Sequence, residues 1–294
     1  MAFIKEVAHQ AVSLLPQVLM APLLLIPFIV AEQIWPARGR PRFKDYGLNV
    51  LISTSTAFLV LPLGMTVAAG GAWLGESLPW SRLSVNFETL SAVPYAGGFL
   101  KIVAMIAVPL FIHDLWFYWA HRIEHAVPFL WEFHKLHHSD ERLNCATFGR
   151  DHFLQALWIA VFPTFTLGLV FDLSLKEAGQ AALYSNLFLI FLSMFYHSAI
   201  RVHVPWLDRI LVTPQVHRIH HSTDPQHYNA NFADALPLFD ILFGTYRLPR
   251  KGEFPATGLG EADFEVRNLW TAQAVPVAAA CRRLRKEQTR ARTH

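Results

Sequence analysis

The chain has 294 residues, of which 53% are hydrophobic and only 16% charged, with a mean hydropathy of +0.29. An ordinary soluble chain carries about 25% charged residues, so this composition excludes a typical water-soluble globule. The formal charge of +3 gives no reason to expect a nucleic-acid partner, and the two cysteines, Cys145 and Cys281, cannot build a disulfide framework.

The N-terminus lacks a basic segment followed by an apolar run and a small-residue cleavage site, so no removable signal peptide is expected and the first apolar stretch stays as an anchor. Five stretches approach the roughly 20 apolar residues that a membrane helix needs: 12–34, 48–74, 99–119, 153–171 and 180–197. Pro22, Pro27, Pro62, Pro109 and Pro163 fall inside them, which membrane helices tolerate when neighbours re-satisfy the backbone. With Pro62 and Gly64, the second stretch is either one bent span or a re-entrant hairpin. The expected fold is an all-α integral membrane protein with about five transmembrane helices, or four plus that hairpin, and a cytosolic helical cap. Three regions follow: an N-terminal membrane region (1–98), a catalytic region (99–250) and a basic tail (251–294). The end of that tail reads as a solvated or headgroup-facing helix, or as a frayed basic end.

Orientation follows from the basic residues. Of the 25 Lys and Arg, all but Lys5, Arg82, Lys101 and Lys176 fall on one side of these spans, which the positive-inside rule makes the cytoplasm. The Arg- and Ala-rich composition points to a bacterial inner membrane.

Three histidine clusters lie on that same side: His121 and His125; His134, His137 and His138; and His217, His220 and His221. On a helix, residues at i, i+3 and i+4 share one face, so each cluster presents two or three imidazoles in one direction. One such cluster could be a polar helix end that happens to hold histidines. Two HxxHH patterns and one HxxxH on one membrane side call for a common purpose. Imidazole binds transition metals without adding charge, and eight rings exceed what one ion can use, so a two-metal centre is expected. His197, at the cytoplasmic end of the fifth stretch, is a ninth ligand candidate, although a residue there can also simply anchor the span. His113, His152, His203 and His227 flank the clusters as structural or supporting groups.

A zinc hydrolase needs few ligands and usually a carboxylate base, and bundle di-iron sites commonly use Glu-x-x-His pairs. An all-histidine pair fits iron that activates O2 beside a lipid. Two readings of another class stay open. His121 to His125 also spells H-x-x-E-H, the inverted zinc-peptidase pattern with Glu124 as base, and a metal transporter would need polar groups near the membrane midplane. In the oxygenase reading, Glu124 is expected to face solvent or an arginine.

From Asp114 to Tyr246 the sequence resembles the membrane fatty acid hydroxylase superfamily, also called the sterol desaturase family. Asp114, Tyr118, His121, Arg122 and His125 resemble its first box; Trp131 to Ser139 its second; Val216 to Ser222 its third; and Leu238 to Tyr246 its closing signature. Phe232 and Ala233 stand where the family often has Tyr-Gly, a mild change expected to leave the metal site intact, with room for a change in local turn geometry because Ala is less free than Gly. The resemblance implies O2-dependent hydroxylation of a membrane lipid at two iron ions, with zinc possible in purified protein, or desaturation at the same site. No Gly-rich dinucleotide motif or cytochrome domain occurs, so electrons are expected from a separate ferredoxin or cytochrome with its reductase. Asp114, Tyr118, Asn144, His152, His227 and Asn231 are the expected partners behind the ligands, because a ligating imidazole usually bonds through its other nitrogen.

Overall fold

The computed structural model describes residues 21–79, 82–84, 87–172, 175–260 and 264–292. The first expected span therefore lies partly outside the described residues. What is described of it is helix α1 (Leu25–Ile34).

Four longer helices follow in an up-and-down arrangement: α2 (Phe43–Ser77), α3 (Gly97–Ala126), α5 (Phe153–Val170) and α6 (Leu175–His197). Of these, α2, α3 and α5 are long and apolar enough to cross a bilayer, while Leu25–Ile34 and Leu183–His197 are shorter apolar helices. The 48–74 stretch runs as one continuous helix through Pro62, which replaces the re-entrant alternative. Its neighbour α5 packs so closely that a Cβ on Gly71 would come 2.4 Å from Phe165 O, and one on Gly168 2.2 Å from Ala68 O. Small residues let two membrane helices approach in this way, gaining dispersion contact where no hydrophobic effect drives association. Outward-facing Phe58, Leu59, Trp73, Phe99, Ile102 and Phe191 are exposed, as expected of side chains turned to lipid. At the far end of the α2–α5 pair, β1 (Leu83–Ser84) and β2 (Phe171–Asp172) form a two-residue parallel ladder.

The remaining elements cap the opposite end. They are α4 (Pro128–His138), α7 (Pro214–His220), the short α8 (Leu238–Leu242), and α9 (Leu269–Arg292), which packs against α4 and the start of α2. The tail is thus a docked helix, and Arg283 Nε donates to Glu132 Oε1 at 2.8 Å.

Buried polar bonds tie the cap to the spans. The Glu32 carboxylate accepts the backbone N–H groups of Cys145 and Ala199, both at 2.7 Å, and the Tyr46 hydroxyl. Arg150 donates to Asn49 Oδ1 at 2.8 Å and to Leu136 O at 3.1 Å, so the beginning of α2 is fastened to the end of α4.

Candidate metal centre

Each histidine cluster lies at a helix end on the cap side. The α3 helix has 30 residues and is about 45 Å long, more than a hydrocarbon core of about 30 Å requires, so its last turns carry His121 and His125 past the apolar region. Pro128 at the first position of α4 starts the next helix at once and turns His134, His137 and His138 back toward α3. Thr213 caps α7, followed by Pro214, and sets the pitch of His217 and His220, with His221 at the helix end.

These elements bring nine imidazoles into two adjoining groups. His121, His125, His134, His138 and His220 form one, and His137, His197, His217 and His221 form the other. In each group one ligand atom per residue lies within 4.8 Å of all the others. In the first group, His134 Nε2 is 3.0 Å from His121 Nε2 and 3.1 Å from His138 Nε2, which is 3.1 Å from His220 Nε2. In the second, His197 Nε2 is 3.2 Å from His137 Nε2 and 2.9 Å from His217 Nε2, which is 2.9 Å from His221 Nε2. The groups meet where the rings of His138 and His221 stack at 4.4 Å.

The outer nitrogens determine what the inner ones are. His121 Nδ1 lies 2.7 Å from Phe232 O, His220 Nδ1 2.9 Å from Ala230 O, and His197 Nδ1 2.9 Å from Ser193 O. A carbonyl only accepts, so each of these Nδ1 atoms carries the hydrogen, and in the neutral ring Nε2 holds a lone pair aimed inward. Burial, reinforced by neighbouring histidines, holds His134, His138, His217 and His221 well below the ordinary imidazole range, and burial pulls His220 down to about 4. Unprotonated imidazoles are the form that binds a metal.

Two of those carbonyls belong to one short loop. Asn231, with φ of +59°, stands between Ala230 and Phe232, and this left-handed residue lets the flanking carbonyls reach two different histidines. Two carboxylates hold the loop. Asp240 accepts the N–H groups of Phe232 and Ala233, both at 2.8 Å, and Asp114 accepts those of Asp234, Ala235 and Leu236 at 3.2, 2.9 and 2.7 Å. Five successive backbone donors are thus taken by two side chains. Ala233 does not have a positive φ, so Ala in place of Gly leaves this turn unstrained, in keeping with a mild change.

The expected supporting residues do not bond the clustered imidazoles directly. Asp114 holds the loop. The Tyr118 hydroxyl meets Thr245 Oγ1 at 3.0 Å and accepts from Arg122 at 2.9 Å. Asn144 caps the turn Cys145–Gly149, His152 caps α5, and His227 pairs with Ser222 and Glu253. Asn231 bonds backbone groups of Val216 and Arg247. His113 pairs with Asp234 at 2.8 Å, and His203 bonds Gln215.

The groups that do stand behind the rings are others. Glu124 is 2% exposed, and its Oε2 lies 3.2 Å from His134 Nδ1, so the expectation that it faces solvent or an arginine is corrected. Gln155 also meets His134 Nδ1, at 2.6 Å. The contacting atom is Gln155 Nε2, which also donates to Glu124 Oε2 at 3.5 Å, so the amide, the carboxyl group and the ring form one buried cluster. Asp151 Oδ1 lies 3.2 Å from His137 Nδ1, in ion-pair range but without hydrogen-bond alignment. Gln155 had a visible signal, a lone amide in the first turn of an apolar span. Asp240 had none beyond its place in the closing signature.

Aromatic walls enclose the centre. Phe232 covers His121, His125 and His220; Trp131 covers His125 and His138; Tyr196 lies against His197 and His217.

The family model for fatty acid hydroxylase matches residues 106–245, a segment that holds every clustered histidine. That segment belongs to the fatty acid hydroxylase family. Among the relatives of the chain is the ornithine lipid hydroxylase OlsE of Rhizobium tropici, 28% identical over 232 residues, covering 76% of this chain and 62% of that one. Alkylglycerol monooxygenase of Danio rerio is 32% identical over 163 residues, 55% of this chain and 33% of that one. Human cholesterol 25-hydroxylase is 27% identical over 231 residues, 76% of this chain and 78% of that one. The chain therefore spans less than two thirds of the first two relatives. No solved structure matches it.

Proposed function

We propose that this chain is a membrane-bound, O2-dependent lipid hydroxylase, with five histidines holding one iron ion and four holding a second. The observation that carries this reading is the inward lone pair on His121, His197 and His220, fixed by three backbone carbonyls, within two groups that contain no carboxylate. Five neutral nitrogen donors in the first group exceed the four that a zinc site takes, which favours iron.

Iron bound there would supply the reduction of O2, one oxygen atom entering a C–H bond of the lipid and the other leaving as water, with two electrons and two protons taken up. The protein's part is to keep the imidazoles neutral, to fix their tautomers, and to exclude water with Phe232, Trp131 and Tyr196. Glu124 faces the outer nitrogen of His134, away from where a hydrolytic water would sit, which argues against the zinc-peptidase reading. The histidines sit at helix ends, not along a path through the spans, which argues against transport. The basic bias supports a site that faces the cytoplasm at a bacterial inner membrane, where a separate ferredoxin or cytochrome would deliver the electrons. The relatives' names point to a substrate with a polar head and a large apolar body.

Metal analysis of purified protein, combined with lipid mass spectrometry of cells with and without the gene, tests this. Two irons per chain and a lipid gaining one oxygen support it. A lipid losing two hydrogens would make the enzyme a desaturase instead. Unchanged lipids with only zinc bound would overturn it.

A further inference from the structure

The C-terminal helix α9 has three sides of different character. Ala272, Pro276 and Ala280 are buried against the protein. Trp270, Val277 and Leu284, seven residues apart and so on one face, are 79%, 41% and 41% exposed. On the side of the helix away from that apolar face, next to the buried one, lies a groove of about 360 Å³ shared with α4 and lined by Lys135, Arg282, Arg283, Lys286 and Arg290 against the carboxylates Glu132 and Glu287. Glu132 is already engaged by Lys135 at 3.0 Å and Arg283 at 2.8 Å, so the groove keeps a positive excess.

The position of α9 says what faces it. Its Leu269, Ala272 and Val275 pack on Leu48 and Ile52, in the first turns of α2. That helix is about 52 Å long, well beyond a hydrocarbon core of about 30 Å, and its first turns include Lys44, Asp45 and Asn49, so α9 docks at headgroup depth. A helix with an apolar face and a basic flank at that depth is built to lie in the interface.

We propose that α9 lies in the plane of the membrane, its Trp270–Val277–Leu284 face entering the leaflet, and that the α4–α9 groove binds the phosphate of an anionic phospholipid. Cationic side chains at a membrane surface each add appreciable attraction to anionic lipid, and the exposed apolar face on the same helix favours a bilayer over an acidic protein.

Cys281 follows Val277 by four residues, on the same face, and is exposed, whereas Cys145 is buried, so a single fluorophore can be attached there. The full chain is reconstituted in phosphatidylcholine vesicles with and without phosphatidylglycerol. The label should be shielded from aqueous iodide and quenched by lipids brominated near the top of the acyl chain. Spin-labelled phosphatidylglycerol should be preferred over phosphatidylcholine about tenfold, and R282E/K286E should bring that ratio close to one. V277D/L284D, which leaves the groove intact, should expose the label. Three results would overturn the proposal: free access of iodide in both vesicles, an unchanged lipid preference in R282E/K286E, or shielding only after an acidic ferredoxin is added. Metal content and hydroxylation, measured on the same samples, report on the proposed function separately.

Discussion

Glu124 Oε2 stands 3.2 Å from His134 Nδ1, with both side chains almost completely buried. A carboxyl oxygen set against that nitrogen orients the ring and strengthens its other nitrogen as a ligand. Glu124→Gln keeps an acceptor there, and Gln155 remains as a second partner. Loss of such an outer contact typically costs about 10- to 100-fold in metal affinity or activity, and the expected loss here is near tenfold. Turnover and iron content of the variant check this. Complete loss of activity with full metal content would instead identify Glu124 as the base of a hydrolase.

His137 and His220 belong to different groups, so their removal should have separable effects. His137→Ala should lower the metal count of the His137, His197, His217 and His221 group, and His220→Ala that of the other, each variant retaining about one ion per chain. His197→Ala should behave like His137→Ala. Elemental analysis of folded protein decides it, and two ions retained in all three variants would disprove the partition.

Asp114 should matter without touching a ligand. It accepts three of the five backbone bonds that hold the 232–236 loop, and Phe232 O in turn fixes His121. Hydrogen bonds to a charged group contribute about 1.5–3 kcal/mol each, so Asp114→Ala should destabilise the protein by at least about 3 kcal/mol and weaken metal binding. Asp114→Asn, which keeps one acceptor, should lie between. Thermal melts in detergent with and without added iron give the measurement.

The spans show how much of this fold was legible in the sequence. A bilayer demands apolar length, so α2, α3 and α5 could be read directly, and the three histidine spacings marked their own helix faces. Half of the partners behind the rings could not be read because they are backbone carbonyls: Phe232 O reaches His121 across 111 positions, a contact no local pattern encodes. Glu124 was misread because it sits where a helix leaves the membrane, and sequence alone does not say whether that turn meets water or α5. Asp240 lies in a five-residue helix and carries no local signal for its role, which exists only once the 232–236 loop has folded over it.

Packing between α2 and α5 leaves no room for larger residues. Replacing Gly168 with Val would push a side chain into the backbone of Ala68 and Ala72. Overpacking of this kind costs about 1–3 kcal/mol, so the variant should melt earlier in detergent while binding the same metal at low temperature. An unchanged melting point would mean that the two helices can slide apart at no cost.

Acid should empty and loosen the cap. The native pKa of His220 is near 4 and those of His134, His138, His217 and His221 are also depressed, against about 6.5 in an unfolded chain. Above pH 6.5 neither state binds these protons and there is no penalty. Below it the unfolded chain takes up protons that the native rings refuse, so stability falls until the pH passes the native values. For His220 alone the full excursion costs about 3 kcal/mol. The circular dichroism signal and the retained metal should both decline as the pH falls from 6.5 to 4, and a flat profile there would contradict the buried, neutral state of these rings.

Each of the two histidine groups draws on residues up to about a hundred positions apart, the first from His121 to His220 and the second from His137 to His221. The ribosome delivers His121, His125, His134 and His138 early, and His137 and His197 before the third cluster, but neither group is whole until the segment carrying His217 to His221 has emerged and folded under the helices. Completion of both histidine groups is thereby tied to the last part of chain synthesis, and a chain halted before it carries neither.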